Sequence, residues 1–242
     1  MGHHDAPLRR CSRSRPDGGR WINVSHDGFF AELIAAHADE HRATIAHPAV
    51  QAIADETLGD ARFRAYLEQD YLFLQAYARA IASAAAVADS LEDVAWLARL
   101  LDSTVAVEMD AVARLYASFG GASEELARAS MHPACRNYVD HLRAHAASGR
   151  LLVMLAALLP CQWGYREVAH TIAQRGLPRD ERYRGWVNEY LSVEYGTLVD
   201  RMVVTLNREA EHESQRARQR AKEAFAAGMH HELAFWTMVA NG

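Results

Sequence analysis

Apolar residues recur along this chain at intervals of three and four, and hardly anywhere at two. Phe29, Phe30, Leu33, Ile34 and His37 keep the helical period after Ser25 and Asp27, two residue types suited to capping a helix start. Pro48 fits the first turn of a short second helix ended by Gly59. Phe63, Tyr66, Leu67, Asp70, Phe73 and Leu74 fall on one stripe of a long third helix. The next run extends from about Leu91 to Phe119 and is stopped by Gly120-Gly121. Further segments start near Ser123, Pro133, Arg150, Arg182 and Glu194, and a last one runs from about Ser214 to Val239. No period-two runs of β-branched residues occur, no Asp-Gly or Asn-Gly pair joins two such runs, and no internal repeat is visible. The pattern predicts an all-α, multi-helix bundle forming a single domain over residues 25–242.

Composition narrows the class. A chain of 242 residues, half of them hydrophobic, can bury one well-packed core. The net charge of -5 gives no global electrostatic case for nucleic acid. Three cysteines (Cys11, Cys135 and Cys161) are an odd number and read as reduced thiols, not a disulfide framework. The longest apolar run, Leu151 to Pro160, is about half the roughly 20 residues that a membrane helix needs. These features predict a soluble, cytoplasmic protein with neither a membrane nor a nucleic acid as partner. The first two dozen residues differ: Arg9, Arg10, Arg13, Arg15 and Arg20 sit among Ser, Pro and Gly without apolar periodicity. They predict a disordered basic tail over residues 1–24.

Candidate chemistry concentrates in three places. Within Leu158-Leu159-Pro160-Cys161-Gln162-Trp163-Gly164-Tyr165, Pro160 removes a backbone hydrogen bond from an apolar helix and favours a kink. Cys161 follows it directly, with Tyr165 one turn on along the same face. A thiol beside aromatic rings at such a break can be an activated nucleophile; on spacing alone, a small buried hydrophobe is the commoner role. Glu232 shares a helix face with Phe235 and Trp236, where burial would raise its pKa and suit it to proton exchange. Asp70 stands on the core face of the third helix, so it is either paired structurally or holds a polar ligand. Glu167-Val-Ala-His170 and Glu209-Ala-Glu-His212 have the Glu-x-x-His spacing of di-iron bundles, but the second lies in a solvated charge run and no complete ligand set emerges. His37 and His41 are one turn apart, but Ala38 stands where the His-Glu-x-x-His order of a zinc-protease helix needs Glu, and Gly-rich phosphate loops are absent.

Four separated motifs, in order, resemble the TenA/thiaminase II family. Ala156-Ala157-Leu158-Leu159-Pro160-Cys161-x-Trp163-x-Tyr165-x-Glu167 is similar to its active-site helix. Leu67-Glu68-Gln69-Asp70-Tyr71-Leu72-Phe73-Leu74 is similar to its Gln-Asp motif, Asn137-Tyr138-Val139-Asp140-His141-Leu142 to its tyrosine-bearing helix, and Glu232-Leu233-Ala234-Phe235-Trp236 to its C-terminal Glu-x-x-Phe-Trp. His47-Pro48 and Asp60-x-x-Phe63 fit its early helices, so the resemblance spans roughly Gly28 to Ala240. It implies a haem-oxygenase-like fold without haem or any other cofactor, assembled as a homotetramer. It also implies hydrolysis of 4-amino-5-aminomethyl-2-methylpyrimidine to the hydroxymethyl pyrimidine in thiamin salvage, and in many members the cleavage of thiamin itself. Position by position, Cys161 would be the nucleophile and Glu232 the acid/base. Asp70 would hydrogen-bond the ring nitrogen and exocyclic amine, Tyr138 and Tyr165 would orient thiol and substrate, and Phe73 and Tyr190 would flank the flat ring. Two positions depart from the pattern: Phe73 stands where some members carry tyrosine, and Leu191-Ser192 follows Tyr190 where others have a glycine pair. A metal-dependent oxidase on the same scaffold, or a non-catalytic pyrimidine-binding or regulatory protein, are the alternatives.

Overall fold

The computed structural model describes residues 28–126 and 128–241, so the basic tail expected over residues 1–24 lies outside it, as do Ser25 and Asp27. Gly28 takes the position before the first helix, at a φ of 123° that a side chain would resist. The described residues are helices joined by short loops, with no strand among them. The first expected helix is two, α1 (Phe29–Ala36) and α2 (Ala38–Ile45), divided at His37. The second, α3 (Pro48–Ala54), ends before Gly59, which instead leads into α4 (Asp60–Val87) with a φ of 83°.

The run expected from Leu91 to Phe119 is helical throughout but changes gauge. It forms α5 (Leu91–Asp102), a π-helical turn (Ser103–Glu108) and α6 (Met109–Ser118). The segment expected from Ser123 amounts to one turn, α7 (Ser123–Leu126). The others follow as α8 (Pro133–Ala146), α9 (Leu151–Arg175), α10 (Glu181–Leu191), α11 (Val193–His212) and α12 (Gln215–Asn241). Their starts are written locally. Ser90, Asp180 and Ser192 accept backbone N–H groups of α5, α10 and α11, and the His47 and His132 rings do the same ahead of Pro48 and Pro133.

The axis of the molecule is α9. Every side chain from Leu151 to Tyr165 is buried, the signature of a helix that is apolar all round. It runs without interruption through Pro160, and α4, α8, α10, α11 and α12 pack around it. The tightest approach is to α12: a Cβ built on Gly228 would sit 2.6 Å from Pro160 Cγ, so glycine at 228 is what lets the proline's helix come this close. Among the described residues no helix is long and apolar enough to cross a membrane.

Candidate active site

Six elements each deliver a side chain to the region around Pro160. Asp70 and Phe73 come from α4, Glu108 from the π-helical turn, Tyr138 from α8, Cys161 and Tyr165 from α9, Tyr190 from α10 and Glu232 from α12. Cys161 is 8% exposed, and Asp70 and Glu232 are 3% exposed each. The stretch of α9 around Cys161 is clamped through Gln162. The Tyr77 hydroxyl donates to its Oε1 at 2.9 Å, and the Tyr195 hydroxyl donates to its backbone carbonyl at 3.0 Å.

Glu232 accepts a 2.8 Å hydrogen bond from the Tyr138 hydroxyl. Burial pushes its carboxyl up to about 8; the Tyr138 bond opposes that rise and the nearby Asp70 adds to it. Burial likewise lifts Asp70 to about 7, against a 3.4 Å contact from the Tyr66 hydroxyl. Burial raises the Cys161 thiol well above its ordinary value, with the carboxyls of Glu232, Glu108 and Asp70 acting in the same direction. At neutral pH the resting centre therefore holds a protonated thiol facing carboxyls that keep, or readily take up, a proton.

Aromatic rings wall the site. Phe73 lies 4.6 Å from Tyr138 and 6.2 Å from Phe235, so it keeps its stacking face without a hydroxyl. Tyr190 lies 4.9 Å from Tyr165. The Leu191-Ser192 pair leaves Tyr190 in place because Ser192 serves as the cap between α10 and α11. All seven residues singled out by the sequence thus meet in one region.

Sequence reasoning missed four participants. Tyr66, one turn before Asp70, touches Asp70 and Tyr165 at 3.4 Å each, accepts from the Trp186 indole at 3.1 Å and stacks on Trp236. Gln69 accepts from the His132 N–H at 2.8 Å and donates to the Ser130 carbonyl at 3.0 Å, tying down the start of the helix that carries Tyr138. Gly228 sets the α9–α12 spacing. Glu108 is the fourth: burial pushes its carboxyl up to about 8, with Asp70 and Glu189 adding to the rise and Tyr190 opposing it. Its signal was present, because Leu97, Leu100, Thr104, Glu108, Val112 and Tyr116 form one stripe, and a carboxylate there poses the same question as Asp70.

The Glu-x-x-His candidates lie apart. Glu167 pairs with Arg166 and approaches His41 at 3.9 Å, and Glu209 pairs with Arg208. Among the described residues no three His, Cys, Asp or Glu side chains are grouped as an ion would require.

The family model described as TENA/THI-4/PQQC matches residues 34–242. The chain belongs to this family. Within it, the chain is 33% identical to an aminopyrimidine aminohydrolase of Halalkalibacterium halodurans over 81% of its own length and 88% of the relative's. It is 31% identical to the aminopyrimidine aminohydrolase of Bacillus subtilis, covering 87% and 89% of the two chains. Among solved structures, a TenA homologue from P. horikoshii superposes with a TM-score of 0.81 at 27% identity, covering 89% of this chain and 99% of that one. A domain from Shewanella denitrificans described as having a heme oxygenase-like fold superposes at 0.70 with 12% identity, covering 88% and 92%. The TENA/THI-4/PQQC chain therefore has the haem-oxygenase-like architecture expected of it.

Proposed function

We propose that this chain is an aminopyrimidine aminohydrolase of thiamin salvage, with Cys161 as nucleophile and Glu232 as acid/base. The observation that carries the reading is the convergence on Cys161 of two buried, proton-holding carboxyls, one of them bonded to Tyr138. The names of the relatives support the overall reaction, an aminopyrimidine aminohydrolysis.

The substrate class is a 4-aminopyrimidine with an aminomethyl arm. Its edge presents a ring-nitrogen acceptor beside an amine donor, and a protonated Asp70 offers the complementary donor and acceptor. Phe73 and Tyr190 supply ring faces for stacking. In the first step the Cys161 sulfur bonds to the unsubstituted ring carbon next to the arm, and the thiol proton ends on a ring nitrogen. The 4-amino nitrogen then pushes its electron pair through the ring. The arm's C–N bond breaks, and the nitrogen leaves as ammonia with the proton from Glu232.

Water adds to the exocyclic methylene and gives its proton to the Glu232 carboxylate. The C–S bond then breaks, and sulfur leaves with the ring-nitrogen proton. The sum is amine plus water to alcohol plus ammonia, and both enzyme groups end as they began. Tyr138 orients Glu232, and Tyr165 helps place the thiol and the substrate. The reading includes assembly as a homotetramer, for which the exposed Leu91, Val105, Val107, Val193 and Val204 offer apolar surface.

The test is ammonia release from 4-amino-5-aminomethyl-2-methylpyrimidine. Wild type should turn over and Cys161→Ala should not, with the same helical content and melting temperature. Turnover in Cys161→Ala at the wild-type rate would refute the mechanism. No turnover in wild type that still binds the pyrimidine would make the chain a binding member of the family.

A further inference from the structure

Tyr138 holds Glu232 through one hydroxyl, so the place of that hydroxyl depends on the ring that carries it. The oxygen lies on the long axis of the ring. Spinning the ring about that axis leaves the oxygen where it is, and only a swing of the whole side chain at χ1 carries it away. Rings packed on the phenol oppose such a swing. Phe73 of α4 lies with its centroid 4.6 Å away, and His231 of α12 stacks at 5.2 Å with the two planes only 21° apart. His231 directly precedes Glu232, so two consecutive residues of α12 hold Tyr138, one by its face and one by its hydroxyl.

The His231 ring is itself backed. His141 lies 5.0 Å from it and 6.1 Å from Tyr138, and His145 lies 4.5 Å from His141. Tyr138, His141 and His145 stand three and four residues apart on α8, so one stripe of that helix carries the phenol and two of the plates. All three imidazoles are half-buried, a setting that suits a flat apolar body with a polar tip. The His141 Nε2 atom is buried without a partner, so ring contact, not a hydrogen bond at that atom, fixes this side chain.

Burial keeps the stack uncharged at neutral pH. It lowers His145, lowers His231 with His230 adding to the effect, and takes His141 down to about 3 with His145 and His231 acting the same way. The charged side chains beside the stack are engaged elsewhere: Asp140 pairs with Arg143 at 3.2 Å, and His230 approaches Glu40 of α2 at 3.6 Å. The rings therefore bear on Tyr138 without placing a cation beside Glu232, whose acidic neighbour is Asp70 of α4.

We infer that His231 is a positioning residue for the acid/base: backed by His141 and His145, its ring holds the Tyr138 hydroxyl on Glu232. The effect on turnover rests on the hydrolase reading above, whereas the contact itself is a property of the folded chain.

The test reads Glu232 directly. In protein labelled with carbon-13 at the glutamate carboxyls, the Glu232 resonance is identified by its loss in Glu232→Gln and titrated by NMR. The kcat for ammonia release is measured on the same variants. His231→Leu keeps the bulk of the side chain but loses the flat face. The hydroxyl then leaves Glu232 part of the time, and because that bond lowers the carboxyl's pKa, the titration should move to higher pH, as in Tyr138→Phe. Loosened packing alone would admit water, hydrate the carboxylate and move the titration to lower pH, so the direction separates the two roles. The kcat should fall about two- to tenfold, the change in population that one aromatic contact controls. His231→Phe restores the plate and should return the titration to its wild-type place and kcat to within about twofold. In Tyr138→Phe, with no hydroxyl left to hold, His231→Leu should change kcat by less than about twofold. His141→Leu removes the backing ring and should move both readouts in the same directions as His231→Leu, but by less.

An unmoved titration in His231→Leu, or one moved to lower pH, overturns the inference. So does a loss of kcat that His231→Phe does not restore, or one that persists in Tyr138→Phe. If His231→Leu does not fold, an unmoved titration in His141→Leu overturns it alone. Absent ammonia release by wild type sinks the hydrolase reading while the titration still decides the role of His231. Turnover by wild type with an unmoved titration in the variants sinks that role only.

Discussion

Replacing Gly228 by alanine would drive a methyl group into Pro160. The added carbon would lie 2.6 Å from Pro160 Cγ and 3.2 Å from its Cβ. Carbon atoms prefer separations of about 3.5–4.0 Å, so the two helices must part by about 1 Å, and a proline ring has no rotamer by which to give way. Overpacking of this kind costs about 1–3 kcal/mol, while exchanging glycine for alanine inside a helix returns about 1 kcal/mol. The net loss of stability is therefore about 0–2 kcal/mol, a fall in Tm of at most about 8 °C for a chain of this size.

The effect on turnover should be far larger. Gly228 lies one turn before Glu232, and Pro160 directly precedes Cys161, so a displacement at this contact separates the nucleophile from its acid/base. Misplacement by about 1 Å costs on the order of 100-fold in rate. Steady-state ammonia release beside differential scanning calorimetry reads both quantities. Gly196→Ala is the control, since a Cβ at Gly196 meets nothing within 4 Å, and it should keep full activity with equal or higher Tm. Gly228→Ala with turnover within about threefold of wild type would refute the idea that this contact sets the catalytic spacing.

Two buried carboxyls, Asp70 and Glu232, and the half-buried Glu108 make stability depend on pH. Asp70, Glu108 and Glu232 bind protons more tightly folded than unfolded, so their contribution is full below the ordinary carboxylate range and drains as pH rises through about 7 to 8. Wild type should melt lower at pH 9 than at pH 6, and Glu232→Gln should flatten that slope by up to about 1.4 kcal/mol per pH unit; parallel slopes would contradict the assignment. Tyr138→Phe removes the bond that lowers the Glu232 pKa, so the alkaline fall in kcat should move to higher pH. An unmoved profile would argue against Glu232 as the proton donor. Gln69→Ala leaves the Ser130 carbonyl and the His132 N–H without partners and should cost about 1–3 kcal/mol, checked by urea denaturation.

Helix existence was legible because one-sided burial on α4 and α12 imposes a helical period, and on α9 because its apolar run is longer than a buried strand. Helix division was not. His37 interrupts α1 and α2 without a proline or glycine to announce it, and Gly59 ends nothing but begins α4. The π-helical turn left no mark either, since an i→i+5 turn adds a residue without disturbing the apolar count. Cys161, Asp70 and Glu232 were found because each breaks a local rule, a thiol after a helix-interior proline or a carboxylate on an apolar face. Glu108 breaks the same rule on a stripe of its own. Tyr66 and Gln69 break none, because their roles lie in hydrogen bonds to residues 99 and 63 positions away. A glycine inside a 27-residue helix hints at a close approach, but only the fold shows that Pro160 is what approaches Gly228.

The two described cysteines have a use beyond turnover. Cys135 on α8 and Cys161 on α9 are both buried, and burial pushes the Cys135 thiol up to about 12. Alkylating reagents require an accessible thiolate, which the closed molecule does not offer at Cys135, whereas Cys161 is reached through the site that admits substrate. Labelling of Cys135 must then wait for α8 to swing open, so its modification rate becomes a clock for local unfolding. That clock sits at the anchored start of the tyrosine helix, and the site-entry probe sits on the central rod. A Cys135 rate equal to that of Cys161 would mean that site entry and helix opening are one motion.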